Sequence, residues 1–115
     1  MSKISDVQFS ANGSKLDFGA YATDTDFKEI GAVYAFTRRY KSDGKFYHDI
    51  LYVGQTDNLQ RRMNAHDKMP QAVNRGCNCI CVHVDTTQST RLKKEHNMLC
   101  QHKPPCNEKL PDDCS

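Results

Sequence analysis

Ala32-Val33-Tyr34-Ala35-Phe36 is an unbroken apolar run, and the fold is read outward from it. A short run of this kind fits a strand covered on both faces. A second stretch, His48-Asp49-Ile50-Leu51-Tyr52-Val53-Gly54, reads the same way. Between them Lys41-Ser42-Asp43-Gly44-Lys45 has the composition of a turn. The two runs therefore predict an antiparallel hairpin.

Downstream, Thr56-Asp57-Asn58 offers helix N-cap chemistry, with Gln60 placed to close a capping box with Asp57. Leu59, Met63 and His66 follow at helical spacing, and Pro70 ends or interrupts that helix. Residues 78–84 predict a third strand. A Thr- and Ser-rich link, Thr86 to Thr90, leads into a helix through about Gln101, stopped by Pro104-Pro105. The order strand, strand, helix, strand, helix predicts an α/β (α+β) fold with a small three-stranded antiparallel sheet flanked by helices. Upstream, residues 1–30 lack a clean period around the turn at Asn12-Gly13. They read as an N-terminal extension packing locally, with a short strand or helix. The expected organisation is an extension over 1–29, a domain over 30–108 and a polar tail over 109–115.

The chain has 115 residues, the size of one domain. Its net charge of +2 is unevenly spread: −2 over residues 1–30, +6 over 31–104 and −2 over 105–115. A basic centre suits a polyanionic partner, or is simply a solvated face. No apolar run is long enough to span a bilayer, and Met1-Ser2-Lys3-Ile4-Ser5-Asp6 lacks the apolar stretch of a secretory signal. The expected setting is intracellular, without a membrane. Six cysteines are many for this length. In a strand, Cys77, Cys79, Cys81 and His83 would share one face, and Cys100 or Cys106 would be further zinc ligands. C-x-C-x-C is nonetheless a poor way to wrap one tetrahedral ion, and buried free cysteine behaves as a small hydrophobe. The cysteines are therefore read first as core residues.

Ala32-Val33-Tyr34, Tyr52-Val53-Gly54, Arg62, His66, Glu95 and Asn107, in this order and spacing, resemble the signature of the GIY-YIG nucleases. Arg62 lies eight residues after Gly54, and Glu95 precedes Asn107 by twelve, across Pro104-Pro105. The resemblance covers about residues 30–108. Ala32 stands where the family usually has Gly, and Gln55 where Lys or Ser is frequent. Seventeen residues separate the two tripeptides, which lengthens the hairpin and lets Arg38, Arg39 and Lys45 reach a ligand.

The resemblance implies a metal-dependent endonuclease that hydrolyses DNA by single-metal, in-line attack of water, with Mg²⁺ or Mn²⁺ as cofactor. RNA remains open as a substrate, and an oligomer or protein partner is possible. Glu95 would bind the metal, as an oxygen ligand suited to a cation that keeps its waters. Its place in an apparent apolar stripe (Leu92, Glu95, His96, Leu99) otherwise calls for a salt bridge to a buried Arg or Lys. Arg62 would hold phosphate oxygens. His66, four residues on and so on the same helical face, would accept or relay a proton. Tyr52 would activate water, Tyr34 would orient it or contact phosphate, and Asn107 would fix the geometry from behind. Arg38, Arg39, Arg61, Lys68, Arg75 and Lys94 are the candidate contacts to the nucleic-acid backbone. The alternative is a non-catalytic nucleic-acid-binding module that keeps the fold.

Overall fold

A computed structural model describes residues 2–114. Among them the elements run β1 (Ser5–Ala11), β2 (Ser14–Tyr21), β3 (Ala32–Ser42), β4 (Lys45–Thr56), α1 (Leu59–Asn64), α2 (Met69–Asn74), β5 (Cys79–Val84) and α3 (Gln88–His102). The sheet has five strands, not the three expected, in the order β1-β2-β5-β3-β4. Every neighbouring pair is antiparallel.

The two extra strands come from the N-terminal extension. Asn12 and Gly13 both have positive φ, 51° and 97°. Both central residues of a type I′ hairpin turn need this geometry, and Asn-Gly accommodates it well. On either side Val7, Phe9, Ala11 and Leu16, Phe18, Ala20 alternate with polar residues. This is the period of a half-buried strand. It escapes notice because each run is short and opens on polar residues. Asp43-Gly44, with φ of 52° and 79°, makes the same kind of turn between β3 and β4.

The sheet buries both faces. Residues 31–37 are all buried, as a strand sandwiched between two layers requires. On one side Val33, Ala35, Val53, Cys79 and Cys81 join Phe9, Phe18 and Met98 of α3. On the other, Tyr34, Phe36, Leu51, Ile80 and Val82 join Leu59 of α1, Ala72 of α2 and Cys106. Strand β4 lies at the sheet edge. The chain after α3 covers that edge: Cys106 N–H donates to Leu51 O at 2.8 Å, and the Asn107 amide pairs with both backbone groups of Val53 at 3.0 and 2.9 Å. Covering an edge in this way removes a template for unwanted strand pairing.

Local chemistry differs from expectation in three places. The cap of α1 is Asn58, whose side chain accepts from Arg61 N–H at 3.0 Å, while Asp57 pairs with the Arg61 side chain. Helix α1 stops at Asn64, and Pro70 lies in the first turn of α2, where a missing N–H does no harm. His66 therefore belongs to the connection between two helices rather than to the Arg62 helix. On α3 Leu92 is 45 % exposed, and the inward line runs through Arg91, Glu95 and Met98 instead.

Cys100 and Cys114 form a disulfide, a pairing that reading the cysteines as core residues did not include. Cys79, Cys81 and Cys106 are free and buried. No helix among the described residues is long and apolar enough to cross a membrane. Closing a loop of this size restricts the unfolded chain and stabilises by about 3 kcal/mol. Reduction, or Cys114→Ser, is expected to lower the free energy of unfolding in urea by about that amount while far-UV circular dichroism stays native. An unchanged urea midpoint would show that the bridge adds no stability.

Candidate active site

Tyr34 and Phe36 point to the α1–α2 side of the sheet, and Tyr52 sits opposite Phe36 on β4. A register shift between Phe36 and Thr37 places an extra residue, Leu51, in β4. The Tyr34 and Tyr52 rings lie 6.2 Å apart at 30°. Tyr34 faces Gly54 across the ladder. A Cβ at Gly54 would stand 2.5 Å from the Tyr34 hydroxyl oxygen and 2.6 Å from the ring carbon bearing it. Glycine is required here by space, not by backbone angle. Without a side chain at 54, the Tyr34 hydroxyl rests on the backbone of β4.

His66 closes this pocket from the connection between α1 and α2. Its ring meets the edges of Tyr34, Phe36 and Tyr52, with centroids 5.5, 4.6 and 5.0 Å away. Burial, and then the positive charge of Arg62, lower its pKa to about 4. The ring is therefore neutral at pH 7. Lys68 N–H donates to Nδ1 at 3.1 Å, so Nδ1 carries no proton. The proton sits on Nε2, which donates to the Tyr34 oxygen at 2.7 Å. Both ring nitrogens are thus occupied by protein groups.

Arg62 reaches the same point from α1. Its guanidinium hydrogen-bonds Asp67 at 2.9 Å and lies close enough to Tyr34 and Tyr52 to interact with both electrostatically. Burial works against its charge, but Asp67 and the two tyrosines outweigh it and hold the group firmly cationic. Tyr34 responds in the opposite sense to a free phenol. Burial and then the neighbouring Tyr52 push its pKa well above the usual range, with Arg62 opposing. Of the two phenols Tyr34 is deeply buried, at 1 % exposure, while Tyr52 is partly open. The sequence-predicted Tyr34, Tyr52, Arg62 and His66 are therefore brought into mutual contact.

Glu95 approaches from the other layer. It is half-buried, and among the described residues no Lys, Arg or His lies within ion-pair distance of it. Burial raises its pKa, and the Gln55 backbone partly offsets this. The expected salt-bridge alternative is absent. Buried Arg91, one turn earlier, is committed to Gln55 Oε1 and Asp85 O at 3.1 Å each. Among the described residues no hydrogen bond or ion pair joins Glu95 to the other four. It is linked to them through β4, since Gln55 directly follows Gly54. Asn107 makes its two bonds to Val53 one residue earlier. A half-buried carboxylate without a cationic partner fits a hydrated divalent cation, which needs one protein oxygen and takes the rest from water and phosphate.

The candidate nucleic-acid contacts divide. Arg38 pairs with Asp49 at 2.5 Å and lies over Tyr40, while Arg39 stacks on Phe46 at 3.7 Å. Arg61 pairs with Asp57, Lys68 with Glu108, and Lys94 with Asp85. Arg75 is exposed and makes no ion pair among the described residues. Lys94, on α3, stands apart from the others. The reading from sequence missed the aromatic part of this surface: Tyr40 and Tyr47 stack at 5.7 Å, and Phe46 and Tyr47 are 52 % and 45 % exposed. Aromatic residues interleaved with Arg38, Arg39, Lys41 and Lys45 were the available signal.

The profile of the GIY-YIG catalytic domain matches residues 31–109. The chain belongs to the GIY-YIG family, a family of nucleases that act on DNA and generally depend on a divalent metal. No curated protein and no solved structure matches the chain significantly.

The His66 environment has a consequence for stability. Unfolded, the ring titrates near its ordinary 6.5; folded, near 4. Between these values the unfolded chain binds more protons, so stability from this group is complete above about pH 6.5 and drains away toward pH 4. The loss amounts to roughly 3 kcal/mol. Urea unfolding of wild type and His66→Gln at pH 7 and pH 4.5 is expected to show a steeper decline in the wild type. Parallel declines would contradict the buried neutral ring.

Proposed function

We propose that this chain is a divalent-metal-dependent endonuclease that hydrolyses DNA phosphodiester bonds by in-line attack of water. The observation that carries this reading is the contact group of Tyr34, Tyr52, Arg62 and His66. Phosphodiester hydrolysis needs a base for water, a cation for charge growing at phosphorus, and exclusion of competing protons. Arg62 is fixed in its charged state beside two phenols and offers planar N–H donors to phosphate oxygens. Asp67, exposed, is the partner that phosphate would displace. Tyr34 is held protonated, so Tyr52, acting as the phenolate, is the group that would take a proton from water. His66 acts on Tyr34, not on water, because both its nitrogens are engaged. It is a positioning residue.

Glu95 would hold the metal, which when bound would stabilise the charge on phosphate and on the leaving oxygen. Asn107 keeps β4, and with it Tyr52 and Gly54, in register. In this reading the substrate crosses the edge of the sheet at β4, with Arg62 and Tyr52 on one side and Glu95 on the other.

The long β3–β4 hairpin is the proposed DNA-holding arm. From Tyr34 to Tyr40 a strand advances roughly 20 Å. Tyr40 and Tyr47 continue the face that carries Tyr34, and cations flank Phe46. Exposed ion pairs there contribute little to stability and can open to phosphate at low cost.

Glu95→Gln and Arg62→Ala are expected to abolish Mg²⁺-dependent cleavage on a panel of duplex, branched and single-stranded DNAs. Glu95→Gln should also raise the melting temperature, since burial disfavours the ionised carboxylate and the amide removes that charge. Cleavage at wild-type rates by either variant would overturn the roles. A wild-type protein that binds DNA but never nicks it would instead identify a binding module. Separately, Phe46→Ala with Tyr47→Ala is expected to weaken DNA binding about tenfold or more, at about 1–3 kcal/mol per lost stack, with single-turnover cleavage at saturation unchanged. Unaltered affinity would remove the arm from the interface.

A further inference from the structure

On the face of the sheet away from the tyrosines, three strands bring a second set of reactive groups together. Cys79 and Cys81 project side by side from β5 and are both fully buried. Thr37 of β3, also fully buried, stands between them and His48 of β4. One ligand atom each from His48, Cys79 and Cys81 lies within 4.8 Å of the other two. His48 turns Nδ1 inward, to the Thr37 hydroxyl at 2.8 Å and the Cys81 sulfur at 3.9 Å. Phe9 of β1 caps the ring edge-on at 5.7 Å.

This is not the row of alternating cysteines that the sequence brings to mind. Cys77 precedes β5 and belongs to the opposite core layer. His83 is engaged by Asp17 O and Lys94. His48 comes instead from two strands away, a juxtaposition that only the sheet order β5-β3-β4 creates. If Cys79 and Cys81 were merely small core hydrophobes, nothing would require a buried hydroxyl and an inward imidazole nitrogen beside them. Polar groups in such a place carry a desolvation penalty unless they are satisfied.

We infer that His48, Cys79 and Cys81 form a zinc site, separate from the Glu95 position. Two thiolates, one neutral imidazole and Zn²⁺ sum to zero charge, which an apolar layer tolerates. A monovalent soft cation would leave one negative charge buried there. Zinc accepts sulfur and nitrogen donors at about 2.0–2.3 Å, and atoms already this close need only small side-chain rotations to reach it. Binding breaks two S–H bonds and forms two Zn–S bonds and one Zn–N bond, releasing two protons to solvent. Nδ1 exchanges its contact with Thr37 for the metal. The Thr37 O–H then donates to the Cys81 thiolate, and a water entering beside half-buried His48 completes the tetrahedron.

The test uses the purified full-length chain, with the free thiols kept reduced and the metal removed, titrated with Co²⁺ and then with Zn²⁺. Cobalt is expected to give the near-ultraviolet sulfur-to-metal charge-transfer band and the visible bands of a tetrahedral centre, saturating at one ion per chain. Zinc should displace it. His48→Gln, at a half-buried position expected to fold, should lose at least tenfold in affinity. Cys79→Ser and Cys81→Ser should lose the charge-transfer band. Cys77→Ser and Cys106→Ser should keep it. Thr37→Val should bind about ten- to a hundredfold more weakly, as loss of a group that orients a ligand does. Absence of the band in wild type, or its survival at full affinity in His48→Gln, would overturn the site. Uptake of Cu⁺ but not Zn²⁺ would overturn the choice of ion. None of these readings depends on nuclease activity.

Discussion

The close approach of Tyr34 to Gly54 governs the half of the molecule that holds the candidate active site. Nothing but a hydrogen on residue 54 leaves room for the hydroxyl, since a Cβ would sit 2.5 Å from it. Tyr34 therefore lies flat against β4 and not above it. His66 can then donate to its oxygen from the helical side, and Arg62 can reach both phenols. If Tyr34 stood away from the strand, the His66 ring would lose its acceptor and the aromatic edges that exclude water from it. Glu95 lies in the other layer, and the Gln55 backbone that tempers its raised pKa directly follows Gly54.

Charge in this site is held by division of labour among neighbours. Arg62 is the permanent cation, stabilised by exposed Asp67. Burial, reinforced by this charge, keeps His66 neutral, and the neutral ring presents a donor to Tyr34. Burial keeps Tyr34 protonated. Burial and neighbouring charge together set these states, and they leave the partly open Tyr52 and Glu95, which has no cationic partner among the described residues, as the most accessible members. Those are the positions where a substrate and its counter-ion have most to offer.

Much of this was legible from residue order. The continuous apolar run at 32–36, the turn at Asp43-Gly44 and the spacing of Arg62, Glu95 and Asn107 pointed to the hairpin, the helices and the family. The N-terminal strands were equally present, as Val7, Phe9, Ala11 and Leu16, Phe18, Ala20 flanking Asn12-Gly13, but short alternations are easily passed over when a stronger pattern follows. Other features were beyond reach. The helical face assigned to Arg62 and His66 failed because α1 ends at Asn64. Leu92 reads as core but is exposed, because packing against β1 and β4 turned Arg91 inward. The tautomer of His66, and the meeting of His48 with Cys79 and Cys81, follow from tertiary neighbours that no local pattern encodes.

The N-terminal hairpin also bears on what counts as the smallest stable form of this domain. The family match begins at residue 31, yet β5 is paired on one side by β2. A chain trimmed to the matched region would leave Cys79-Ile80-Cys81-Val82 as a bare border strand, uncharged and rich in β-branched and sulfur-bearing residues. Such a border invites other copies to add to it and grow into insoluble assemblies. In the whole chain β1 takes that outermost place, with Asp6, Gln8 and Ser10 among its outward side chains. The hairpin thus moves the sheet's open border from β5, an uncharged strand, to β1, whose outward face is polar.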